Sequence, residues 1–434
     1  MNQSRAIIIV ENREALRVAA SAARISTQQG TAMEMFESSM GDERDLKLIG
    51  KVLSSGHKSV VEHQTFSAAF NDVSVFVEQF AIECRLASFT VKSRRYVDFA
   101  GAGFVTPDGL DGEQRALYEQ TMGRRFADYQ RLMALGVPKE DARFLLPYCL
   151  RSNFYMTLNA RELIVLICSM LYGRGKGFPE IEALGMQLKT QFDGLYPGVI
   201  EREAARFPAY TPMALPIAIR AGAARVGDAA LLKSFDGAAG FLRDMCAFTG
   251  RSVADIAALL ADARPRELEL VSYTFRVQRV SLACVTHFTR HRMVSLLVPP
   301  VVRGLAEGDY VLPETVSAIP EAEAVYRRAF QDQGEAAQRA LTLGVSMQDL
   351  SYFALSGHQI DLVLGMNLRQ IVHFMRLRTC NRAQWEIRGV AWKMLDLLRG
   401  HEPEIFNHVG PSCAYGPCPE GKMSCGKPYR EGEL

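Results

Sequence analysis

The amino-acid sequence predicts a mixed α/β chain that consists of two diverged copies of one domain. Short apolar or alternating runs at residues 6–10 and 65–70 have the pattern of β-strands, and residues 114–135 have the pattern of a long amphipathic helix. Three groups of residues recur in the same order about 207 positions later. Three ordered correspondences at a nearly constant offset predict a tandem duplication.

The first copy begins with a strand and continues mainly as helices. Residues 6–10 are interpreted as a strand and not as a signal peptide, because Glu11, Asn12, Arg13 and Glu14 follow at once. Residues 42–53 start with acids and end near Lys51, as an N-capped helix does. Further helices are predicted at residues 14–23, 73–85, 114–135, 139–146 and 159–171, and from Pro179 onward.

The second copy repeats three groups of the first. Arg85 and Ser88 match Arg292 and Ser295, Asn159-Ala160-Arg161 matches Asn367-Leu368-Arg369, and Pro179-Glu180-Ile181 matches Trp385-Glu386-Ile387. Clustered prolines and a shift to Ala/Gly-rich sequence mark a boundary within residues 207–216. We therefore predict a first repeat at 1–210, a second repeat at 211–407 and a Cys-rich tail at 408–434.

Composition excludes several classes of protein. The 434 residues suffice for two domains with separate cores, and 48% apolar with 23% charged residues is typical of a soluble globular protein. A net charge of +2 gives no overall attraction to nucleic acid or membrane surfaces, and no apolar run approaches the ~20 residues that span a bilayer. Nine cysteines, mostly scattered singly, indicate reduced thiols and a cytoplasmic protein.

A cationic cluster, Arg290-His291-Arg292, follows the largely apolar residues 280–288. Two guanidinium groups suit bidentate contact with a phosphate or an anionic ring. A histidine between two arginines should have its charged form disfavoured, so we expect His291 to be neutral. A solvated basic turn is the alternative that the spacing leaves open.

Two further groups of polar residues are candidates for a site. Asn367, His373 and Arg378 can lie on or near one face of a helix, although a plain polar face is the commoner reason for such a pattern. In the first copy, His57 and His63 flank Glu62, but a separation of six residues fits no helical metal motif. We therefore expect no metal at these two histidines.

The tail concentrates three cysteines, Cys413, Cys418 and Cys425, within thirteen residues. Together with His408 they would complete a tetrahedral zinc set, although the spacing is not a standard one. An iron–sulfur centre would also need a fourth ligand. A flexible tail with reduced thiols is the alternative.

Taken together, the motifs of this chain resemble those of flavin-dependent thymidylate synthases. They are Gly-His-x4-Glu-His at 56–63, Ser-x-Arg-Tyr at 93–96, Arg-His-Arg-x-x-Ser at 290–295, Asn-x-Arg at 367–369 and Ala-Gln-Trp-Glu-Ile-Arg at 383–388. The resemblance covers most of the chain in two copies and weakens over 102–118, 217–263 and the last twenty-odd residues. It implies an α/β fold of the α+β type, with an antiparallel sheet wrapped by helices in each repeat.

The resemblance also implies the chemistry. The family works as a homotetramer with sites between subunits that bind FAD, dUMP and methylenetetrahydrofolate, and NADPH is the reductant. A hydride from reduced flavin, instead of a cysteine nucleophile, activates the uracil ring. A dimer of this duplicated chain would imitate the tetramer.

Site residues follow from the resemblance residue by residue. The residues implied in cofactor binding are His57, Glu62, His63, Arg290, His291, Arg292, Asn367, Arg369 and His373. Those implied in substrate binding are Ser93, Arg95, Tyr96, Arg143 and Arg378, of which Ser93, Arg95 and Arg378 are implied in catalysis.

Each copy departs from the family pattern in a complementary way. The first copy has Glu83-Cys84-Arg85 in place of Arg-His-Arg, and Met170 replaces an arginine that would bind the nucleotide. The second copy has residues 299–302, Pro-Pro-Val-Val, in place of Ser-x-Arg, Ser351 in place of the other arginine, and only Glu269 from the Gly-His/Glu-His element. We therefore expect a composite site between the repeats, active around Arg290 and inactive around Glu83. The alternatives are a flavoenzyme that modifies C5 of UMP or another pyrimidine nucleotide, and an inactive nucleotide- or flavin-binding relative.

Overall fold

Two compact units make up the chain. The computed structural model describes residues 4–11, 13–205, 207, 218–251, 255–262 and 265–429. The described residues of Met1–Ile219 and Glu314–Ser356 form the first unit, and those of Arg220–Pro313 and Gly357–Leu434 form the second unit. Glu314–Ser356 belongs to the second repeat in sequence but packs in the first unit. The repeat boundaries inferred from the sequence remain a prediction, and residues 208–216 of the proposed boundary lie outside the described residues.

The helices expected in the first copy are present. Its strands are Arg5–Glu11 (β1), Thr65–Ser74 (β2), Ala87–Val91 (β3) and Arg151–Asn159 (β4). Its helices are Arg13–Ile25 (α1), Ala32–Glu37 (α2), Glu43–Ser54 (α3), Val75–Ile82 (α4), Gly112–Ala134 (α5), Lys139–Ala142 (α6), Ala160–Leu171 (α7), Pro179–Asp193 (α8) and Val199–Ala204 (α9). Asp42 and Asn159 cap the helices that follow them, because their side chains accept backbone N–H groups of the first turn.

The second copy adds an equivalent series of elements. Its strands are Asp228–Lys233 (β5), Ser272–Ser281 (β6), Ser295–Leu297 (β7) and Gln359–Asn367 (β8). Its helices are Ala238–Phe248 (α10), Ile256–Ala261 (α11), Leu282–Thr289 (α12), Val301–Glu307 (α13), Glu314–Ser317 (α14), Pro320–Thr342 (α15), Met347–Leu350 (α16), Leu368–Arg378 (α17), Trp385–His401 (α18) and Pro403–Phe406 (α19).

Each unit is built on a four-stranded antiparallel sheet of the same topology. The strand order is β1-β2-β4-β3 in the first unit and β5-β6-β8-β7 in the second. In the first unit, apolar side chains of the sheet and of helices α7 and α8 form one core, in which the rings of Phe70 and Phe154 stack at 4.5 Å. The predicted fold class, an antiparallel sheet wrapped by helices in each copy, is confirmed.

A backbone irregularity recurs at the same place in both sheets. The register of the central strand shifts between Phe70 and Val73 in β2, and between Val277 and Val280 in β6. Within each shift one non-glycine residue adopts a left-handed conformation, with φ of 52° at Asp72 and 55° at Arg279. The duplication therefore preserves a local bulge as well as the order of elements.

A buried glutamate anchors the start of the helix that follows each bulge. Ser281 donates from its backbone N–H to Glu386 Oε1 at 2.7 Å, and its hydroxyl donates to Oε2. Ser74 makes the equivalent backbone contact to Glu180 Oε1 at 2.9 Å. Burial raises the pKa of Glu180, and the hydrogen bonds to its carboxylate act against that rise.

Two long helices pack together in the first unit although they come from different repeats. Helix α15 lies along α5, and Gln114 Nε2 of α5 donates to the backbone oxygen of Leu343 at 2.8 Å. Arg125, which is 2% exposed, donates to the backbone oxygen of Ala329 and pairs with Asp128 at 2.9 Å. The second repeat therefore completes the core of the first unit.

Across the described parts of the chain, no helix combines the length and hydropathy that crossing a bilayer requires.

Replacement of Glu386 by Gln should destabilise the second unit. The amide presents an N–H group toward donors that need an acceptor, so we expect the free energy of unfolding to fall by about 1–3 kcal/mol. Urea unfolding of the full chain measures the change. Glu307→Gln is the matched control, because Glu307 is exposed and pairs with Arg303 on the same helix, a contact that contributes ~0–1 kcal/mol. Equal stability of the two variants would contradict the anchoring role.

Candidate active site

The Arg-His-Arg segment begins where helix α12 ends. Arg290 is the C-cap residue of the helix, and the backbone N–H of His291 donates to the oxygen of Phe288 at 3.0 Å. Arg290 and Arg292 are exposed, whereas His291 is only 5% exposed. A solvated basic turn therefore describes the two arginines but is wrong for the histidine between them.

Two side chains of helix α17 hold the His291 ring. Arg378 Nε donates to His291 Nε2 at 3.0 Å, so Nε2 is the acceptor nitrogen of a neutral imidazole. The proton must then be on Nδ1, which lies 3.2 Å from the side-chain amide of Gln370. The amide satisfies this donor when its oxygen faces the ring. The contact with Arg378 thus selects one tautomer of His291, and the contact between Gln370 Nε2 and Nδ1 fits that tautomer once the amide is turned.

Burial keeps His291 uncharged. Desolvation, followed by the positive charges of Arg378 and His373, lowers the pKa of His291 to about 3. The sequence predicts a neutral His291 because the charges of Arg290 and Arg292 disfavour its protonation. The structure assigns the neutral state chiefly to burial and to an arginine that is distant in sequence.

A cavity of about 390 Å³ lies beside helix α17 in the second unit. This volume is within the range of small-molecule sites. Its lining residues are Leu260, Asp262, Pro265, Leu268, Glu269, Met293, Asn367, Arg369, Gln370, Val372, His373 and Arg376. Three of the predicted cofactor residues, Asn367, Arg369 and His373, are thus brought together in one wall.

An ion pair in the cavity wall is repeated in the first unit. Arg369 pairs with Glu269, and Arg161 pairs with Glu62 at 2.5 Å. Each arginine stands two residues after an asparagine that caps the same helix, since Asn367 and Asn159 each accept a backbone N–H at 2.9 Å. Glu269 is therefore the structural counterpart of Glu62, as the sequence suggested.

The sequence patterns did not single out two residues of this region, Gln370 and Arg376. Gln370 contacts the ring of His291, and Arg376 lines the cavity. The signal for Arg376 was present, because residues 369, 373 and 376 are spaced four and three apart and so share a helical face. Gln370 gave no such signal, because its partner is remote in sequence.

Arg378 does not line the cavity, and its guanidinium contacts His291. Its Nη2 also donates to the backbone oxygen of His287 at 3.2 Å. In this arrangement Arg378 fixes the orientation of His291, and the catalytic role implied by the resemblance remains a prediction.

In the first unit, the residues implied in nucleotide binding cluster around Glu140. Arg95 Nε donates to the Glu140 carboxylate at 2.5 Å, and Arg143 Nε donates to the Glu140 backbone oxygen at 2.9 Å. Ser93 Oγ accepts the backbone N–H of Arg95 at 3.3 Å, and the Arg95 guanidinium lies 5.4 Å from the Tyr96 ring centroid. Glu140 thus contacts two of the four predicted residues, Arg95 and Arg143, and the other two, Ser93 and Tyr96, contact Arg95.

His57, Glu62 and His63 occupy an exposed 3₁₀ segment. Lys58–His63 forms this turn, and His57 immediately precedes it. All three side chains are exposed. Their assignment to a cofactor remains a prediction.

Glu83 occupies the position that Arg290 has in the second unit. Glu83 is the C-cap residue of α4, as Arg290 is of α12. Its carboxylate pairs with Arg174, whose guanidinium also lies 4.4 Å from the Phe80 ring centroid. The charge at this position is reversed and is neutralised within the first unit.

The cysteines of the tail do not form a metal-binding group. The backbone N–H of Tyr429 donates to Cys413 Sγ at 3.2 Å, and Cys425 Sγ contacts Asn381 and the backbone oxygen of Lys427. In the portion of the chain that the structure describes, no three His, Cys, Asp or Glu side chains are positioned to hold a metal ion. Zinc at Cys413, Cys418, Cys425 and His408 remains a prediction without support from this geometry.

A family comparison matches both copies. The model of the thymidylate synthase complementing protein family matches residues 8–198 and 234–404. Because these two ranges make up most of the chain, the chain belongs to this family.

Individual relatives agree with that assignment. The flavin-dependent thymidylate synthase of Geobacter sulfurreducens is 37% identical over 163 residues, which are 37% of this chain and 70% of that protein. The enzyme of the same name from Nitratidesulfovibrio vulgaris is 35% identical over 189 residues, 41% of this chain and 77% of that protein. Among solved structures, the UMP/dUMP methylase PolB from Streptomyces cacaoi, bound with 5-Br dUMP, is 25% identical and covers 47% of this chain and 96% of that chain, with a TM-score of 0.40. Each of these matches spans less than half of this chain. The family match and the two named enzymes confirm the predictions of the family and of an enzyme.

The buried His291 should make the stability of the second unit depend on pH. Its pKa is lowered from 6.5 to about 3, so the unfolded chain binds more protons between these values. The contribution of His291 is complete above pH 6.5 and is lost as pH falls toward 3, with a slope of up to ~1.4 kcal/mol per pH unit. His291→Gln should remove this component from urea unfolding measured at several pH values in the window. His63→Gln, at an exposed position, is the control. If both variants keep the full wild-type slope, His291 does not contribute to it, and the slope belongs to His358 of the same unit, whose pKa burial also lowers to about 3.

Proposed function

We propose that this chain catalyses the flavin-dependent reductive methylation of dUMP to dTMP. FAD is the proposed cofactor, methylenetetrahydrofolate the carbon donor and NADPH the reductant. The names of its relatives support this reaction, and the observation that carries the proposal is the cavity of the second unit, with Asn367, Arg369 and His373 in its wall beside a neutral His291.

The residues of the second unit fit a flavin dinucleotide. Arg369 and Arg376 suit the oxygens of a diphosphate, because a guanidinium donates in a fixed fork. Leu268, Met293 and Val372 give the same cavity an apolar wall for part of a ring system. When bound, the flavin supplies the hydride for the reduction. Arg290 and Arg292 are exposed close to His291 and would add positive charge on this side.

The nucleotide is proposed to bind to residues of the first repeat. Arg95 and Arg143 are the cations for its phosphate, with Ser93 and Tyr96 beside them. Glu140 holds both arginines, so the cations have fixed positions before a ligand arrives. Arg95 must release the carboxylate of Glu140 before it can bind the phosphate. Its contribution to the binding free energy is therefore smaller than that of an arginine without a carboxylate partner.

A composite site follows from the way in which the two copies diverged. The second repeat keeps Arg290, His291 and Arg292 but has lost Ser-x-Arg at 299–302, whereas the first repeat shows the opposite pattern. Random decay would not spare complementary sets. We therefore propose that each active site takes residues from both repeats.

Arg378 is proposed to act in two ways. Its contact with His291 fixes the acceptor nitrogen of the ring. A guanidinium at this position would also stabilise negative charge on a phosphate or on the polarised carbonyl of uracil.

The assembly and the setting of the protein are also proposals. We propose a homodimer that imitates the tetramer of single-copy relatives. A small-molecule substrate, with neither nucleic acid nor membrane as partner, agrees with the net charge of +2. The proposed cytoplasmic location rests on the nine cysteines, which are mostly scattered singly.

Arg290→Ala should weaken FAD binding at least tenfold, since a charge-assisted contact to a phosphate is worth ~1.5–3 kcal/mol. Quenching of flavin fluorescence measures the dissociation constant. Glu83→Gln is the matched control, because Glu83 occupies the equivalent helix end and pairs with Arg174. Loss of binding in the Glu83 variant, with normal binding in the Arg290 variant, would reverse the proposed division between the repeats.

Release of tritium from C5-labelled dUMP tests the reaction itself. The C5–H bond breaks when the methyl group is installed, so tritium should appear in water only when FAD, NADPH and methylenetetrahydrofolate are all present. Labelled UMP in a parallel reaction distinguishes the alternative substrate. If neither nucleotide releases tritium while FAD binds, the chain is an inactive flavin-binding relative.

A further inference from the structure

The tail after helix α19 packs against helix α18 and against Arg376 of helix α17. It lies beyond residues 234–404, where the match to the family ends. Arg399 of α18 donates to the backbone oxygens of Phe406 and Val409 at 3.4 and 3.3 Å. The Trp392 ring lies 6.2 Å from the Tyr429 ring, measured between centroids. The described part of the tail, residues 408–429, is therefore attached at both of its ends.

The middle of the tail contacts Arg376, a residue of the cavity wall. The Arg376 guanidinium carbon lies 4.2 Å from the centroid of the Tyr415 ring, within the range of a cation–π interaction. Ser412 Oγ donates to the backbone oxygen of Arg376 at 3.2 Å. The Arg376 Nη2 donates to the backbone oxygen of Leu260 at 3.0 Å, across the same wall. These contacts hold the guanidinium from two sides.

Tyr415 is itself fixed. The backbone N–H of Gly410 donates to its hydroxyl oxygen at 3.2 Å. Burial raises the pKa of Tyr415, so its ring is neutral under ordinary conditions. The neutral Tyr415 ring packs against the Arg376 guanidinium but does not neutralise its positive charge.

Arg376 differs in its ion pairing from the other charged groups of the cavity. Glu269 pairs with Arg369, and Asp262 pairs with Arg251. Within the described residues, Arg376 forms no ion pair, and its Nε is enclosed without an acceptor. A partly desolvated cation attracts an anion more strongly than a hydrated one. The charged lining residues, Asp262, Glu269, Arg369 and Arg376, sum to no net charge, so Arg376 gives the cavity wall a local positive charge at its own position.

We propose that residues 410–415 of the tail are a brace that positions Arg376 to bind the diphosphate of the dinucleotide in this cavity. Arg376 is the binding residue, and Tyr415 is the positioning residue that acts through it. The identity of the dinucleotide as FAD rests on the proposed function, whereas the binding of a diphosphate does not. The tail therefore gives this chain an anion contact that the motifs shared with the family do not contain.

Tyr415→Leu in the full chain is the test. Loss of the aromatic face should raise the dissociation constant of FAD about tenfold, as expected for a partly desolvated cation–π contact. The dissociation constant of riboflavin, which has no phosphate, should stay within about twofold of wild type by the same reasoning. Tyr415→Phe keeps the ring and should restore FAD binding. Tyr429→Leu is the matched control, because it removes a tail tyrosine whose ring packs on Trp392 instead of Arg376.

Two results would overturn the proposal. One is normal FAD binding by Tyr415→Leu, and the other is equal weakening by Tyr415→Leu and Tyr429→Leu, which would indicate a general structural role. Inorganic diphosphate separates this proposal from the flavin assignment. If the wild-type chain binds diphosphate but not FAD, and the Arg376→Gln variant does not bind diphosphate, the flavin function is refuted and the brace is supported. Wild-type chain that binds neither would refute the brace.

Discussion

A buried carboxylate at the start of helix α12 is the contact on which the candidate site depends. Glu386 accepts both the backbone N–H and the hydroxyl of Ser281, and so fixes the point where the bulged strand β6 becomes a helix. Helix α12 then ends at Arg290, which puts His291 against Arg378. The same junction exists at Glu180 and Ser74. An unsatisfied donor in this setting would be costly, which explains why the contact persists in both copies.

The charges around His291, in the cavity wall and at the equivalent helix end of the first repeat differ. The His291 ring is neutral because burial and Arg378 disfavour its protonation, so it offers a fixed acceptor and a fixed donor. The cavity wall carries an ion pair between Arg369 and Glu269, a carboxylate at Asp262 that pairs with Arg251, and a cation at Arg376 that forms no ion pair within the described residues. In the first repeat, Glu83 reverses the charge of the equivalent helix end and is neutralised by Arg174.

Features that depend on neighbouring residues were predictable from the sequence, and features that depend on distant segments were not. Capping residues such as Asp42 and Asn159 act on the next few residues, so the starts of α3 and α7 were evident from sequence. The packing of α15 against α5 in the first unit joins segments about two hundred residues apart, and no local pattern encodes it. The support of Arg376 by Tyr415 is of the same kind, since a tail residue reaches a helix of another segment.

The sequence by itself determined the duplication, the fold class, the family and three of the residues that line the candidate site, Asn367, Arg369 and His373. These depend on local periodicity and on ordered motifs, which survive in the linear chain. Only the tertiary structure decided that His291 is buried while its neighbours are exposed, that Arg378 holds its ring, and that Glu140 gathers Arg95 and Arg143. It also showed Arg376 in the cavity wall. Burial and the choice of hydrogen-bond partner depend on which distant segments meet, and spacing along the chain does not contain that information.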